Sequence, residues 1–139
     1  MNWLSFAFLS AIFAALTSIL AKIGIKNVDS NLATAIRTSV IIFFAWGVVF
    51  FQGTAKTLPT LSRTTWIFLV LSGLATGLSW LFYFRALQIG QASKVVPIDK
   101  LSLVITIILA GILLKEKVTL VGWLGAALMT AGALLLAIK

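Results

Sequence analysis

The dominant pattern along the chain is an alternation of long apolar stretches with short polar segments. Because lipid offers no partner for an open strand edge, each apolar stretch is predicted to be a helix. An apolar run of about 20 residues, rising about 1.5 Å per residue, crosses the roughly 30 Å hydrocarbon core of a bilayer. The sequence therefore predicts an all-α integral membrane protein with one domain covering residues 1–139. Its five transmembrane helices are expected over about residues 3–24, 32–51, 65–88, 95–114 and 119–138.

The connections between these stretches predict antiparallel neighbours and place the two termini on opposite sides of the membrane. The loop and tail cations number four on the N-terminal side and three on the other: Lys56, Arg63, Lys115 and Lys117 against Lys26, Lys94 and Lys139. When the cations at or inside span ends are added, the ratio becomes four to seven and favours a cytoplasmic C-terminus. This weak bias permits insertion in both orientations.

Composition narrows the possible functions. The chain is 61% hydrophobic and 10% charged, and it contains no cysteine and no histidine. These absences exclude thiol catalysis and histidine-based metal sites, so we expect no enzyme activity, no cofactor and no metal. The cations are scattered at segment ends rather than clustered, which is not the pattern of a nucleic-acid-binding protein.

Two charges are expected inside the fourth span. From Leu101 to Leu114 there are 14 residues without a charge, about 21 Å of helix, which is too short to cross a bilayer. The helix must therefore include Asp99 and Lys100, with Pro97 in its first turn, where a missing amide hydrogen costs little. Asp99 is then a candidate proton- or substrate-binding carboxylate. The alternative is a structural ion pair with Lys22, Arg85 or Lys100.

Arg37 presents a similar case, since only the 14 residues from Thr38 to Phe51 follow it in the second span. The predicted topology brings one anion and four cations to the same end of the protomer: Asp99 with Lys22, Arg37, Arg85 and Lys100. This excess of cations suits a carboxylate or phosphate group on a substrate, and the alternative is a set of cations that extend to the interface. Trp80 lies deeper in the third span and is interpreted as a pocket wall or a packing residue.

Glycines mark candidate helix contacts. Gly73 and Gly77 form a GxxxG pair in the third span, and the fifth span contains Gly122, Gly125 and Gly132. Gly125 and Gly132 lie seven apart, on one helix face. Small residues permit close helix approach in membranes, either within a protomer or between protomers.

Several motifs resemble the EamA domain of the drug/metabolite transporter superfamily. They are Pro97-Ile98-Asp99, the turn Leu-Lys-Glu116-Lys, the helix Gly122-Trp-Leu-Gly125 followed by Ala131-Gly132, and the preceding Phe82-Tyr-Phe-Arg85-Ala86-Leu87. The similarity covers essentially the whole chain and is strongest from Leu78 onward. Most relatives have two such repeats and ten helices, whereas this chain resembles the small five-helix members.

The resemblance implies a carrier in the cytoplasmic membrane that exports a small polar metabolite by alternating access at a central site. A single repeat would reach the inverted ten-helix arrangement as an antiparallel homodimer. The related small multidrug resistance exporters use a glutamate in their first helix, but the first span here has no acid, so exchange of cationic drugs for protons is not expected. The alternative is a non-transporting subunit that forms a heterodimer with a separately encoded five-helix partner.

Overall fold

The prediction of five membrane-length helices is confirmed. The computed structural model describes residues 2–138, so Lys139, which entered the charge count, lies outside the described residues. In that part of the chain, all secondary structure is helical, and five segments are long and apolar enough to cross a membrane. The helices are α1 (Trp3–Gly24), α2 (Ser30–Phe51), α3 (Arg63–Ile89), α4 (Ala92–Asp99), α5 (Leu101–Leu113) and α6 (Leu120–Ile138).

Side-chain caps start two helices earlier than hydrophobicity predicts. The Asp29 carboxylate accepts hydrogen bonds from the amides of Asn31 at 2.9 Å and Leu32 at 3.1 Å, so α2 begins at Ser30 rather than at residue 32. The Ser62 hydroxyl accepts a hydrogen bond from the Thr65 amide at 3.1 Å, next to the start of α3. The first amides of a helix lack partners within the helix, and capping side chains accept their hydrogen bonds. A prediction based on apolar residues alone does not include these caps.

The connection between α2 and α3 contains a short helix that the sequence analysis did not predict. A 3₁₀ helix occupies Thr54–Thr60, and Gly53 precedes it with φ of 69°. This left-handed backbone conformation is one that glycine adopts without steric cost. The hydroxyls of Thr57 and Thr60 bond to carbonyls three residues earlier, which reinforces the tight winding.

The fourth span differs from the prediction in two respects. It starts at Ala92 rather than residue 95, and it is broken at Lys100 into α4 and α5. Pro97 is the sixth residue of α4 and not in its first turn, so its ring removes an amide donor from the helix interior. After the break, the Leu103 amide bonds to the Lys100 carbonyl at 3.0 Å, a 3₁₀-type bond. Asp99 is therefore the last residue of α4, and Lys100 alone separates it from the start of α5.

The contacts group the described residues into two units. The first contains the residues up to Leu20 and from Ile89 onward, and in it α4 and α5 pack against α6. Ala126 and Ala133, seven apart on α6, are its buried residues on that helix. The second unit is Ala21–Gln88, and its buried apolar side chains are those of Ile25, Phe84 and Leu87. The assignment of the chain to a single domain stays a prediction.

Candidate functional site

Arg37 lies against two aromatic rings of α3, and we call this group of Arg37, Trp80 and Phe84 the Arg37 site. Arg37 is the eighth residue of α2, while Trp80 and Phe84 are four apart on one face of α3. The guanidinium carbon is 4.1 Å from the centroid of the Trp80 ring and 5.4 Å from that of Phe84. Both distances are within the range of cation–π attraction. Trp80, which the sequence analysis interprets as a pocket wall or a packing residue, thus contacts Arg37.

The positive charge of Arg37 lies against two aromatic ring faces, and no carboxylate of residues 2–138 forms an ion pair with it. The side chain is half-buried, and Phe84 beneath it is only 2% exposed. Within residues 2–138, the Arg37 guanidinium takes part in no hydrogen bond and no ion pair. An arginine has five N–H donors in a planar fork. In the Arg37 site these donors are therefore available to a further group.

Lys22 and Arg85 have polar partners at the C-terminal end of α3. The Lys22 ammonium donates to the Leu87 carbonyl, where a cation also interacts favourably with the helix dipole. Arg85 donates to the side-chain oxygen of Gln88 at 2.7 Å, and Gln88 donates to the Val28 carbonyl at 2.8 Å. These bonds tie the end of α3 to the end of α1 and to the loop before α2, so both cations contribute to structure in this unit.

Asp99 and Lys100 form an ion pair in the first unit. The carboxylate oxygen and the ammonium nitrogen are 3.5 Å apart, and the side chains are 33% and 47% exposed, respectively. Of the partners considered from the sequence, Lys100 is the one found. A pair this exposed contributes little to stability. The structure thus pairs Asp99 with Lys100 and Arg37 with Trp80, while the gathering of all five charged residues at one end stays a prediction.

The predicted contact glycines are mostly open within the chain. A Cβ atom built at Gly73, Gly77, Gly125 or Gly132 meets no atom of residues 2–138 within 4 Å. Gly122 differs, because its added Cβ would lie 3.0 Å from the Val118 side chain. Gly122 therefore packs against the turn that precedes its own helix. Contact at the other four positions, if it occurs between protomers, stays a prediction.

Sequence reasoning did not find the Gln88 bridge or the break in the fourth span. A signal for the bridge was present, because Trp80, Phe84 and Gln88 follow each other at spacings of four along α3 and so share one face. Its partner, a backbone carbonyl at Val28, has no signature in the sequence.

Together, the five membrane-length helices and the charges within them define a multi-pass membrane protein. Over residues 1–138 the chain matches the EamA-like transporter family. It is 49% identical over 137 residues to a protein of Sinorhizobium sp. described as an uncharacterized transporter in cobO 3'region, which covers 99% of this chain and 97% of that relative. No solved structure shows a significant match. The chain belongs to the EamA-like transporter family, which points to membrane transport and not to enzyme catalysis, and the resemblance seen in its motifs is confirmed.

Proposed function

We propose that this protein is a secondary transporter that exports a small polar metabolite across the cytoplasmic membrane by alternating access, as an antiparallel homodimer. The observation that carries the proposal is the break at Lys100, which leaves the Asp99–Lys100 ion pair inside a membrane-length segment. In secondary transporters, discontinuous helices commonly form the substrate and ion sites. The family membership supports the same reading.

The chemistry at the break suits coupling. Placing an ionisable side chain inside the membrane costs free energy, so such residues are usually retained for function. A charged residue that only anchors the helix would be expected at the membrane–water interface instead. Asp99 and Lys100 are adjacent, 3.5 Å apart and partly exposed within the protomer, and the proposal requires that a proton or solute reaches the carboxylate from this exposed side. When Asp99 takes a proton, its attraction for Lys100 is lost and the pair opens. This exchange couples the charge state of Asp99 to the conformation of α4 and α5.

The odd number of membrane-length helices supports the proposed dimer. Each protomer has an odd number of spans. Two protomers inserted in opposite orientations would therefore form an inverted ten-helix arrangement. Gly125 and Gly132 lie seven apart on α6 with open space around them, which supports a close helix contact with a second copy.

Reconstitution tests the transport role. Purified protein in liposomes would be presented with a panel of amino acids and organic acids under a proton gradient, and solute-dependent currents would be recorded on a solid-supported membrane. We expect Asp99→Asn to abolish coupled flux. The matched control is Asp29→Asn, because asparagine also caps a helix and should leave flux and folding intact. Full coupled transport by Asp99→Asn would reject the coupling role.

The second candidate is a subunit that needs a separately encoded five-helix partner, and the open glycine faces support this assembly equally. In that case the purified chain alone would move nothing, and co-expression with the partner would restore flux. Reporter fusions at the C-terminus separate the two candidates further. A mixed orientation supports the antiparallel homodimer, whereas a single orientation favours a partner of opposite orientation or a parallel assembly.

A further inference from the structure

In the Arg37 site, the flat face of the guanidinium lies against the Trp80 and Phe84 rings. Its N–H donors form no hydrogen bond with residues 2–138. We propose that Arg37 binds an oxyanion, a carboxylate or phosphate group, and that this group belongs to the transported solute. The inference rests on the proposed function only in assigning the oxyanion to a transported solute, because binding itself can be measured without transport.

Depth in the membrane is the first argument. Arg37 lies seven residues after Ser30 in α2, about 10 Å along the helix axis. A permanently charged side chain two turns inside a transmembrane helix is costly, and such residues characteristically mark solute or ion pathways. An anchor of the bilayer surface would be expected in the first turn of the helix.

Charge balance is the second argument. Ala21–Gln88 contains six cations, Lys22, Lys26, Arg37, Lys56, Arg63 and Arg85, but a single acid, Asp29. The Asp29 carboxylate accepts hydrogen bonds from the amides that start α2. This unit therefore supplies no carboxylate to Arg37, so a balancing anion has to come from another source.

Preorganisation is the third argument. Lys22 and Arg85 have a carbonyl and an amide oxygen as hydrogen-bond partners, whereas Arg37 rests over Trp80 and Phe84. Rings at this distance hold the guanidinium without using its N–H groups. A planar fork held in this way matches the two oxygens of a carboxylate or phosphate.

Arginine side-chain NMR tests the proposal directly. The chain has three arginines, Arg37, Arg63 and Arg85, so selective ¹⁵N-arginine labelling gives three Nε–H signals that single Arg→Lys replacements assign. Full-length protein in nanodiscs of zwitterionic lipid would be titrated with acetate and with inorganic phosphate. We expect the Arg37 signal to shift saturably. Arg63, exposed at the start of α3, is the matched internal control and should not shift.

Two variants test the role of the ring. Trp80→Leu should weaken binding on the order of fivefold, because the cation loses its best aromatic support. Trp80→Phe retains a ring face and should bind almost as well as the unmodified protein. If Trp80→Leu does not fold, the Arg37 shift in the unmodified protein, compared with the Arg63 control, still decides whether the site binds an oxyanion, and a large loss of binding in Trp80→Phe would contradict the role of the ring face.

A second arm uses nanodiscs with anionic phosphatidylglycerol and no soluble anion. A shift of Arg37 in this arm alone would assign the oxyanion to lipid and overturn its assignment to a solute. No shift with any probe, or equal shifts of all three signals, would overturn the site itself. A saturable Arg37 shift in a protein that transports nothing would instead reject the proposed function and leave the binding site intact.

Discussion

Gly125 and Gly132 offer a test in which folding and assembly should respond in opposite directions. The perturbation is the double variant Gly125→Ala, Gly132→Ala. A Cβ at either position meets no atom of residues 2–138 within 4 Å, so the added methyl groups cause no collision inside the protomer. Alanine is favoured over glycine in a helix by up to about 1 kcal/mol per position. The free energy of unfolding of the protomer should therefore rise by about 1–2 kcal/mol.

The dimer should respond in the opposite direction. Glycines at a helix contact in a membrane permit close backbone approach, and a methyl group at each position would separate the two helices. We expect the dissociation constant in liposomes to rise about tenfold, which corresponds to roughly 1.4 kcal/mol. Protomer stability would be measured by circular dichroism during titration with sodium dodecyl sulfate. Dimer affinity would be measured by Förster resonance energy transfer between labelled protomers as the protein is diluted in lipid.

Gly47→Ala is the matched control. Gly47 is exposed in α2 and also has no atom within 4 Å of an added Cβ, so it should stabilise the protomer without weakening the dimer. An unchanged dissociation constant in the double variant would refute the α6 contact. A fall in protomer stability would instead refute the reasoning from open space within the chain.

Substitutions at three further positions test local features, and each is measured by the same detergent titration. Asp29→Ala should lower the free energy of unfolding by about 1 kcal/mol through loss of the α2 cap, while Asp29→Asn should leave it nearly unchanged; equal losses would argue against the cap. Lys115→Gly should raise the free energy of unfolding by about 1 kcal/mol, because Lys115 has φ of 56°, a left-handed conformation that glycine adopts without steric cost. An unchanged free energy of unfolding would show that this conformation carries no strain. Ala126→Leu should cost about 1–3 kcal/mol, because Ala126 is 3% exposed, and a neutral result would contradict close packing of α6 there.

The fourth span shows where sequence reasoning succeeds and where it stops. The run after Lys100 is too short to cross a bilayer, and this argument correctly brought Asp99 and Lys100 into a membrane-length segment. It placed Pro97 wrongly, because it began the helix at the first apolar residues. In the structure the polar Ala92-Ser93-Lys94 segment is already helical, so the proline falls in the helix interior. The break at Lys100 follows from backbone geometry that hydrophobicity does not encode.

The sequence by itself determined the five spans, the family membership and the presence of charges in apolar segments. A transmembrane helix satisfies its backbone hydrogen bonds internally, so its length and hydrophobicity suffice to predict it. Only the tertiary structure decided that Arg37 meets Trp80, that Lys22 bonds to the Leu87 carbonyl and that Asp99 pairs with Lys100. The first two contacts join helices far apart in the sequence, and the third depends on side-chain conformation at a helix break. Such partners are selected by packing and rotamer, which no local pattern of residues records.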